Sequence, residues 1–214
     1  MPNWCGNTLT ISHEDPAMIV RAKEAFAEGR FLAEFIPVPK ELNIVAGRVS
    51  NIDEQAKLEA QEKANREKYG YATWYDFCVS EWGTKWDVGD GQGINSWTDN
   101  DLVVYFDSAW SPPIEAYGKL IDLGFSVHAT YYEPGCAFAG IWEDGYDDHY
   151  DLSGMDSGDV IQQVPQELDE SFGISESMAE FEAENEDEVT TWYKEGVEAT
   201  GLEPHKVKID EKNR

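Results

Sequence analysis

Apolar positions recur along the chain with two different periods, and the switches between them mark out the elements. From Asn3 to Ile11 the alternation reads as an opening strand, with Leu9 and Ile11 on one face. A helix follows: Asp15 is placed to cap it, Pro16 suits its first position, and Ile19, Ala22 and Phe26 recur at helical spacing up to a stop at Gly29. Phe31 to Leu42 is apolar but interrupted by Pro37 and Pro39, which reads as a short edge strand and a turn.

Residues 51–86 differ in kind. Asp53 to Lys68 is built from strong helix formers with a thin apolar stripe, so a largely solvated helix is expected, ended by Gly70. Glu59 with Lys63 and Glu62 with Arg66 add helix-stabilising pairs. Thr73 starts a second short helix that Gly83 stops. Together these read as a helical insertion. Asp87 to Asn100 reads as a loop.

The two-residue period returns at Asp101 to Asp107, apolar on both faces as in a central strand. Ser111 and Pro112 read as cap and first residue of a helix whose buried face is Ile114, Tyr117, Leu120 and Ile121. Phe125 to Glu133 and Cys136 to Trp142 alternate around Pro134-Gly135 as a hairpin. Strand, helix and extended segment near the start, and strand, helix and strand here, make two β-α-β halves. The expected fold is α+β: a ferredoxin-like, antiparallel-rich sheet with helices on one face over residues 1–142, interrupted by the insertion.

After Trp142 the composition changes. Residues 143–214 read as an acidic extension: an Asp- and Gly-rich loop from Glu143 to Asp159, then a short C-terminal helix started by Asn185 and carrying Trp192. Charge sharpens the contrast. The 214-residue chain has 43 acidic and 16 basic residues, a net charge of −27, and between Lys119 and Lys194 it has 19 Asp or Glu and no Lys or Arg. Such a surface repels phosphate and anionic lipid and attracts basic partners, which excludes direct nucleic-acid binding and peripheral membrane association. No apolar run approaches a membrane span, and the first residues carry no leader pattern. The 27 aromatic residues argue for a folded core, and three scattered cysteines argue against a disulfide framework.

Four stretches carry a resemblance: Asn3-Trp4-Cys5-Gly6-Asn7, Trp82-Gly83-Thr84-Lys85-Trp86-Asp87, Ala109-Trp110-Ser111-Pro112-Pro113, and Tyr132-Glu133 with Phe138-Ala139-Gly140. Together they resemble the Api-like and YubB-like phage and plasmid accessory proteins, a family assigned a ferredoxin-like domain. The resemblance covers residues 1–142. It implies a mobile-element origin and the cytoplasm of a bacterial host, and it brings no catalytic residue.

The residues themselves name no reaction. His13, His128, His149 and His205 are isolated, and no metalloprotease, nucleophile-elbow or phosphate-loop motif is present. The Asp-rich loop lacks calcium-loop spacing, so neither a metal nor a cofactor is expected. The leading expectation is a non-enzymatic protein that binds and inhibits a host protein, a nucleic-acid-handling defence factor with a basic surface, by occupying a phosphate groove with carboxylates. Its binding residues are Asp144, Asp147, Asp148, Asp151, Asp156 and Asp159, anchored by Tyr146, Tyr150 and Trp192. The alternative is a small-ligand or nucleotide site, or a cryptic enzyme, in which Trp82, Lys85, Trp86 and Trp110 line a groove for a stacked base.

Overall fold

A computed structural model describes residues 2–185. Its strands are β1 (Trp4–Ser12), β2 (Ile94–Trp97), β3 (Asp101–Ala109), β4 (Ser126–Glu133), β5 (Phe138–Glu143) and β6 (Tyr146–Asp151). They form one antiparallel sheet in the order β2-β3-β1-β4-β5-β6. Helix α1 (Pro16–Ala27) links β1 towards β2, and α5 (Ile114–Asp122) links β3 to β4. The order β2-β3-β1-β4 with these two crossovers is the ferredoxin-like arrangement, and the β5–β6 hairpin extends it on the β4 edge. Helices α2 (Phe31–Phe35), α3 (Ile52–Tyr69) and α4 (Trp74–Glu81) lie within the first crossover.

Alternation sorts the strand residues onto two faces. One face carries Leu9, Ile11, Leu102, Val104, Val127, Ala129 and Trp142, packed against Ile19, Phe26, Phe31, Tyr117 and Leu120 in the main core. Each Val, Leu, Ile or Phe among them contributes about 1.5–3 kcal/mol on full burial. Within the insertion, α4 and the loop after it supply Phe77, Cys78 and Trp82 to this core, whereas α3 barely joins it. In α3 the buried residue is Asn65, whose amide donates to the carbonyls of Glu41 and Ala72.

The opposite face has its own cover. Helices α6 (Ser157–Gln163) and α7 (Gln166–Phe172), with Val164 between them and Ile174 after them, cover β4 and β5, burying Val160, Val164, Leu168 and Ile174 against Ala139, Tyr132, Ile141 and Tyr150. The extension therefore enters the sheet as β6 and then doubles back across it. Over β1 and β3 the same face stays open.

Several expected elements are different. Phe31 to Leu42 is not an edge strand but α2 followed by a 3-10 turn over Lys40–Leu42, because Phe31, Leu32 and Leu42 all turn into the core. The Asp87 carboxylate, distant in sequence, accepts the N–H groups of Leu32 at 2.6 Å and Ala33 at 2.9 Å and caps α2. The 87–100 loop contains β2, which pairs with the free edge of β3 through a bulge between Ile94 and Ser96. Ser111 does not cap α5; its hydroxyl donates to the Gly83 carbonyl and the helix starts at Ile114. The Asp-rich loop is the β5–β6 hairpin and the start of α6. Asn185 lies within a helix already running from residue 174 rather than opening one, and the rest of the expected C-terminal helix lies outside the described residues.

Burial also separates the three thiols. Cys5 and Cys78 are buried and Cys136 is exposed. Burial pushes both Cys5 and Cys78 up to about 12. At pH 8 a thiol reagent is expected to modify Cys136 alone in the native protein, and all three cysteines after unfolding; rapid native labelling of Cys5 contradicts this packing.

Candidate functional site

The site begins with a turn that the local chain does not favour. Trp110 sits at φ 71°. A bulky residue in the left-handed region costs about 1–3 kcal/mol, so surrounding contacts must hold it. They do so from two sides. The Trp110 N–H donates to the Asn3 carbonyl at 2.9 Å, and the Ser108 hydroxyl to the Ser111 carbonyl at 2.7 Å. Thr84 donates to the Ala109 carbonyl at 3.0 Å, and Ser111 to the Gly83 carbonyl at 2.6 Å. Gly83 has φ +82°, and a Cβ there would stand 3.1 Å from the Ile114 nitrogen. The 82–86 loop and the β3–α5 turn are thereby locked together.

Locking them brings aromatic rings from four segments to one end of the sheet. Trp4, Trp86 and Trp110 are 48%, 39% and 42% exposed, too open to serve as core. The Trp4 and Trp86 centroids lie 5.9 Å apart, and Tyr75 meets Trp110 edge-on at 6.4 Å. The Lys85 ammonium sits over Trp86 at 4.3 Å and near Trp110 at 5.1 Å and Tyr75 at 6.0 Å. It has no carboxylate within ion-pair distance among the described residues, so aromatic faces are what hold it.

Beside this cluster runs a groove across the open half of the sheet. A hollow of about 280 Å³ is lined by Trp4, Trp86, Asp87, Asp90, Tyr105 and Asp107, among others. It continues into one of about 510 Å³ that also uses Asp90, Tyr105 and Asp107 and reaches Thr8, Gln92 and Phe172 of α7. Neither hollow has Lys or Arg in its lining. Asp87 is partly spent on capping α2, and burial raises its pKa against the pull of its three N–H donors. The Asp90 carboxylate accepts the N–H groups of Gln92 and Gly93, both at 2.8 Å. The Asp107 carboxylate is exposed and makes no hydrogen bond to another described residue.

Of the groove residues expected from sequence, the fold gathers Lys85, Trp86 and Trp110. Trp82 does not join them. It is buried, and its indole N–H donates to the Ile36 carbonyl at 3.0 Å, so it fastens α4 to the core. Trp4, Tyr75, Tyr105, Asp90 and Asp107 went unrecognised. The available signal was a tryptophan or tyrosine at an outward position of an alternating strand, as Trp4 and Tyr105 are.

The acidic residues lie along β6 and α6. Asp144, at φ 42° in the hairpin turn, accepts the Val127 N–H at 2.9 Å. Asp147 accepts the buried Tyr131 hydroxyl at 2.7 Å. Asp148 accepts from Tyr150. Asp151 accepts the Ser153 N–H, and Asp156 with Asp159 forms the capping box of α6. Tyr146 is exposed, Tyr150 is half-buried, and Trp192 lies outside the described residues. His128 lies between Glu143 and Glu167, at 3.9 and 3.2 Å. Among the described residues no group of three or more His, Cys, Asp or Glu is arranged to hold a metal, and no helix is long and apolar enough to cross a membrane.

No family model and no curated protein matches the chain. Among solved structures, this chain is similar to the crystal structure of a protein api92 from Yersinia pseudotuberculosis, of the family model DUF1281. The likeness covers 71% of this chain and 98% of that one, at 14% identity and a TM-score of 0.39. It meets the Api-like resemblance in name, and at that score it carries no argument about what either protein does.

The two tryptophans of the 82–86 loop should separate in a stability experiment. Trp82→Ala is expected to cost about 3–5 kcal/mol in urea unfolding, and Trp86→Ala below about 1 kcal/mol. Equal costs would contradict the division between core and groove.

Proposed function

We propose that this protein is a non-enzymatic binding protein that docks on a basic surface of another protein through the carboxylates of β6, α6 and α7. One observation carries the reading. Residues 120–185 include 16 Asp or Glu and no Lys or Arg, yet they are folded as strands and helices rather than left as a solvated tail. A folded surface of one sign is costly through self-repulsion, whereas a surface kept only for solubility mixes both signs. The carboxylates would occupy a site that the partner uses for phosphates. A host defence factor that handles nucleic acid would present such a site, and the phage or plasmid setting in the host cytoplasm rests on the Api-like and YubB-like resemblance.

The local bonds of these aspartates make a clean test feasible. Asparagine caps a helix as well as aspartate does and tolerates a left-handed backbone, so Asp→Asn removes charge while keeping the caps and turns. The variant Asp147→Asn, Asp148→Asn, Asp151→Asn and Asp156→Asn is expected to keep its circular dichroism spectrum. Its affinity for a polylysine probe should fall at least about fivefold, and the wild-type affinity should drop steeply between about 50 and about 200 mM salt. The comparison set is Glu14→Gln, Glu54→Gln, Glu59→Gln and Glu67→Gln, elsewhere on the surface. Equal weakening by both sets would mean that net charge alone is responsible, and would overturn the reading.

A further inference from the structure

We propose that the groove between Trp4, Trp86, Tyr105, Asp90 and Asp107 is a seat for an arginine side chain of the basic partner. This deepens the reading of a basic partner and rests on it, but it places the specific contact on the opposite end of the sheet from the β6 carboxylates.

Three observations converge. The first is the lining itself. Aromatic faces at Trp4, Trp86 and Tyr105 stand beside carboxylates at Asp90 and Asp107, and no base is among the lining residues. That pairing suits a flat cation: a guanidinium stacks on an aromatic face and presents a fork of N–H donors to a carboxylate. The second is the behaviour of Lys85. With no acid in reach, its ammonium lies over the Trp86 ring at 4.3 Å, so the cluster already draws a cation from its own chain. The third is the availability of Asp107. β3 places it on the outer face, opposite Gly6 of β1, and Gly6 contributes no side chain to screen it. Asp107 is exposed and has no internal partner among the described residues, so it is free to pair with an incoming donor.

The same lining argues against the nucleotide considered from the sequence. A stacked base would find rings here, but its phosphate would face Asp87, Asp90 and Asp107 rather than a cation. Lys85 lies outside the lining of both hollows. The continuation of the groove towards Thr8 and Phe172 leaves room for the backbone on either side of an arginine, so an extended segment is the form of ligand that fits.

The test uses the full chain and three capped tripeptides, Gly-Arg-Gly, Gly-Lys-Gly and Gly-citrulline-Gly, with tryptophan fluorescence as readout. Citrulline keeps the shape of arginine and removes its charge. The arginine peptide is expected to bind saturably, with citrulline at least about tenfold weaker and lysine at least about threefold weaker. Asp107→Asn with Asp90→Asn should weaken arginine at least about fivefold, because asparagine keeps the turn at residue 90 while removing the charge. Glu54→Gln with Glu59→Gln, on the exposed surface of α3, should leave arginine binding unchanged. Arginine and citrulline binding alike, lysine matching arginine, indifference to the Asp90 and Asp107 changes, or saturable binding of AMP in place of arginine would each overturn the assignment. The polylysine comparison above is independent of these outcomes: it can succeed while the tripeptides fail, and the reverse.

Discussion

β1 runs between β3 and β4, paired with β3 from Trp4 to Ser12 and with β4 from Gly6 to Ser12: Leu9 faces Val104 and Ala129, and Gly6 faces Asp107 and Tyr132. That double register assigns every second residue of three strands to the main core and the rest to the outer face. A slip of one residue would send Leu9 and Ile11 to solvent and bring Thr8 and Thr10 into the core, which makes the register energetically stringent. The groove depends on it directly. Trp4, Tyr105 and Asp107 meet on the outer face because the same alternation that buries Cys5, Asn7 and Val104 turns them outward.

A polar network under the start of β1 supports the same end of the sheet. The buried Asn7 amide donates to the Cys5 carbonyl at 2.7 Å and to the Ser108 hydroxyl at 2.9 Å, and Ser108 in turn holds the Ser111 carbonyl. Buried polar groups that are satisfied in this way fix geometry, because each bond lost would leave a desolvated donor or acceptor. The strained backbone at Trp110 is thus held by a connected set of bonds reaching back into the core. Gly83 completes the lock at the point where a side chain would press on the start of α5.

Charge is organised at two scales. Broadly, carboxylates spread over β6, α6 and α7 with His128 and His149 the sole basic side chains among described residues 120–185, so the field on that side is of one sign. Locally, many of those carboxylates also hold turns and helix starts, as Asp144, Asp156 and Asp159 do. The two roles are compatible, since a carboxylate that caps a helix still presents its charge to solvent. On the proposed reading, long-range attraction would set the rate of encounter and the short-range aromatic seat its specificity.

Periodicity over a single element made β1, α1, β3, α5 and the β4–β5 hairpin legible from the sequence, and with them the ferredoxin-like order. The charge asymmetry was equally plain. Asp144-Gly145 is a readable hairpin signal, but the density of aspartates around it makes the stretch read as a solvated loop rather than as β6. Other features were not written locally. Phe31 to Phe35 became a helix because Asp87, 54 residues from Ala33, caps it. Trp82 and Trp86 share one loop and one residue type, yet one is buried and the other open; only the docking of that loop on the β3–α5 turn distinguishes them. The groove joins Trp4, Trp86, Asp90 and Asp107 from separate parts of the chain. Periodicity reports which face of its own element a residue occupies. What lies against that face is set by strand order and register, and that was for the tertiary structure to decide.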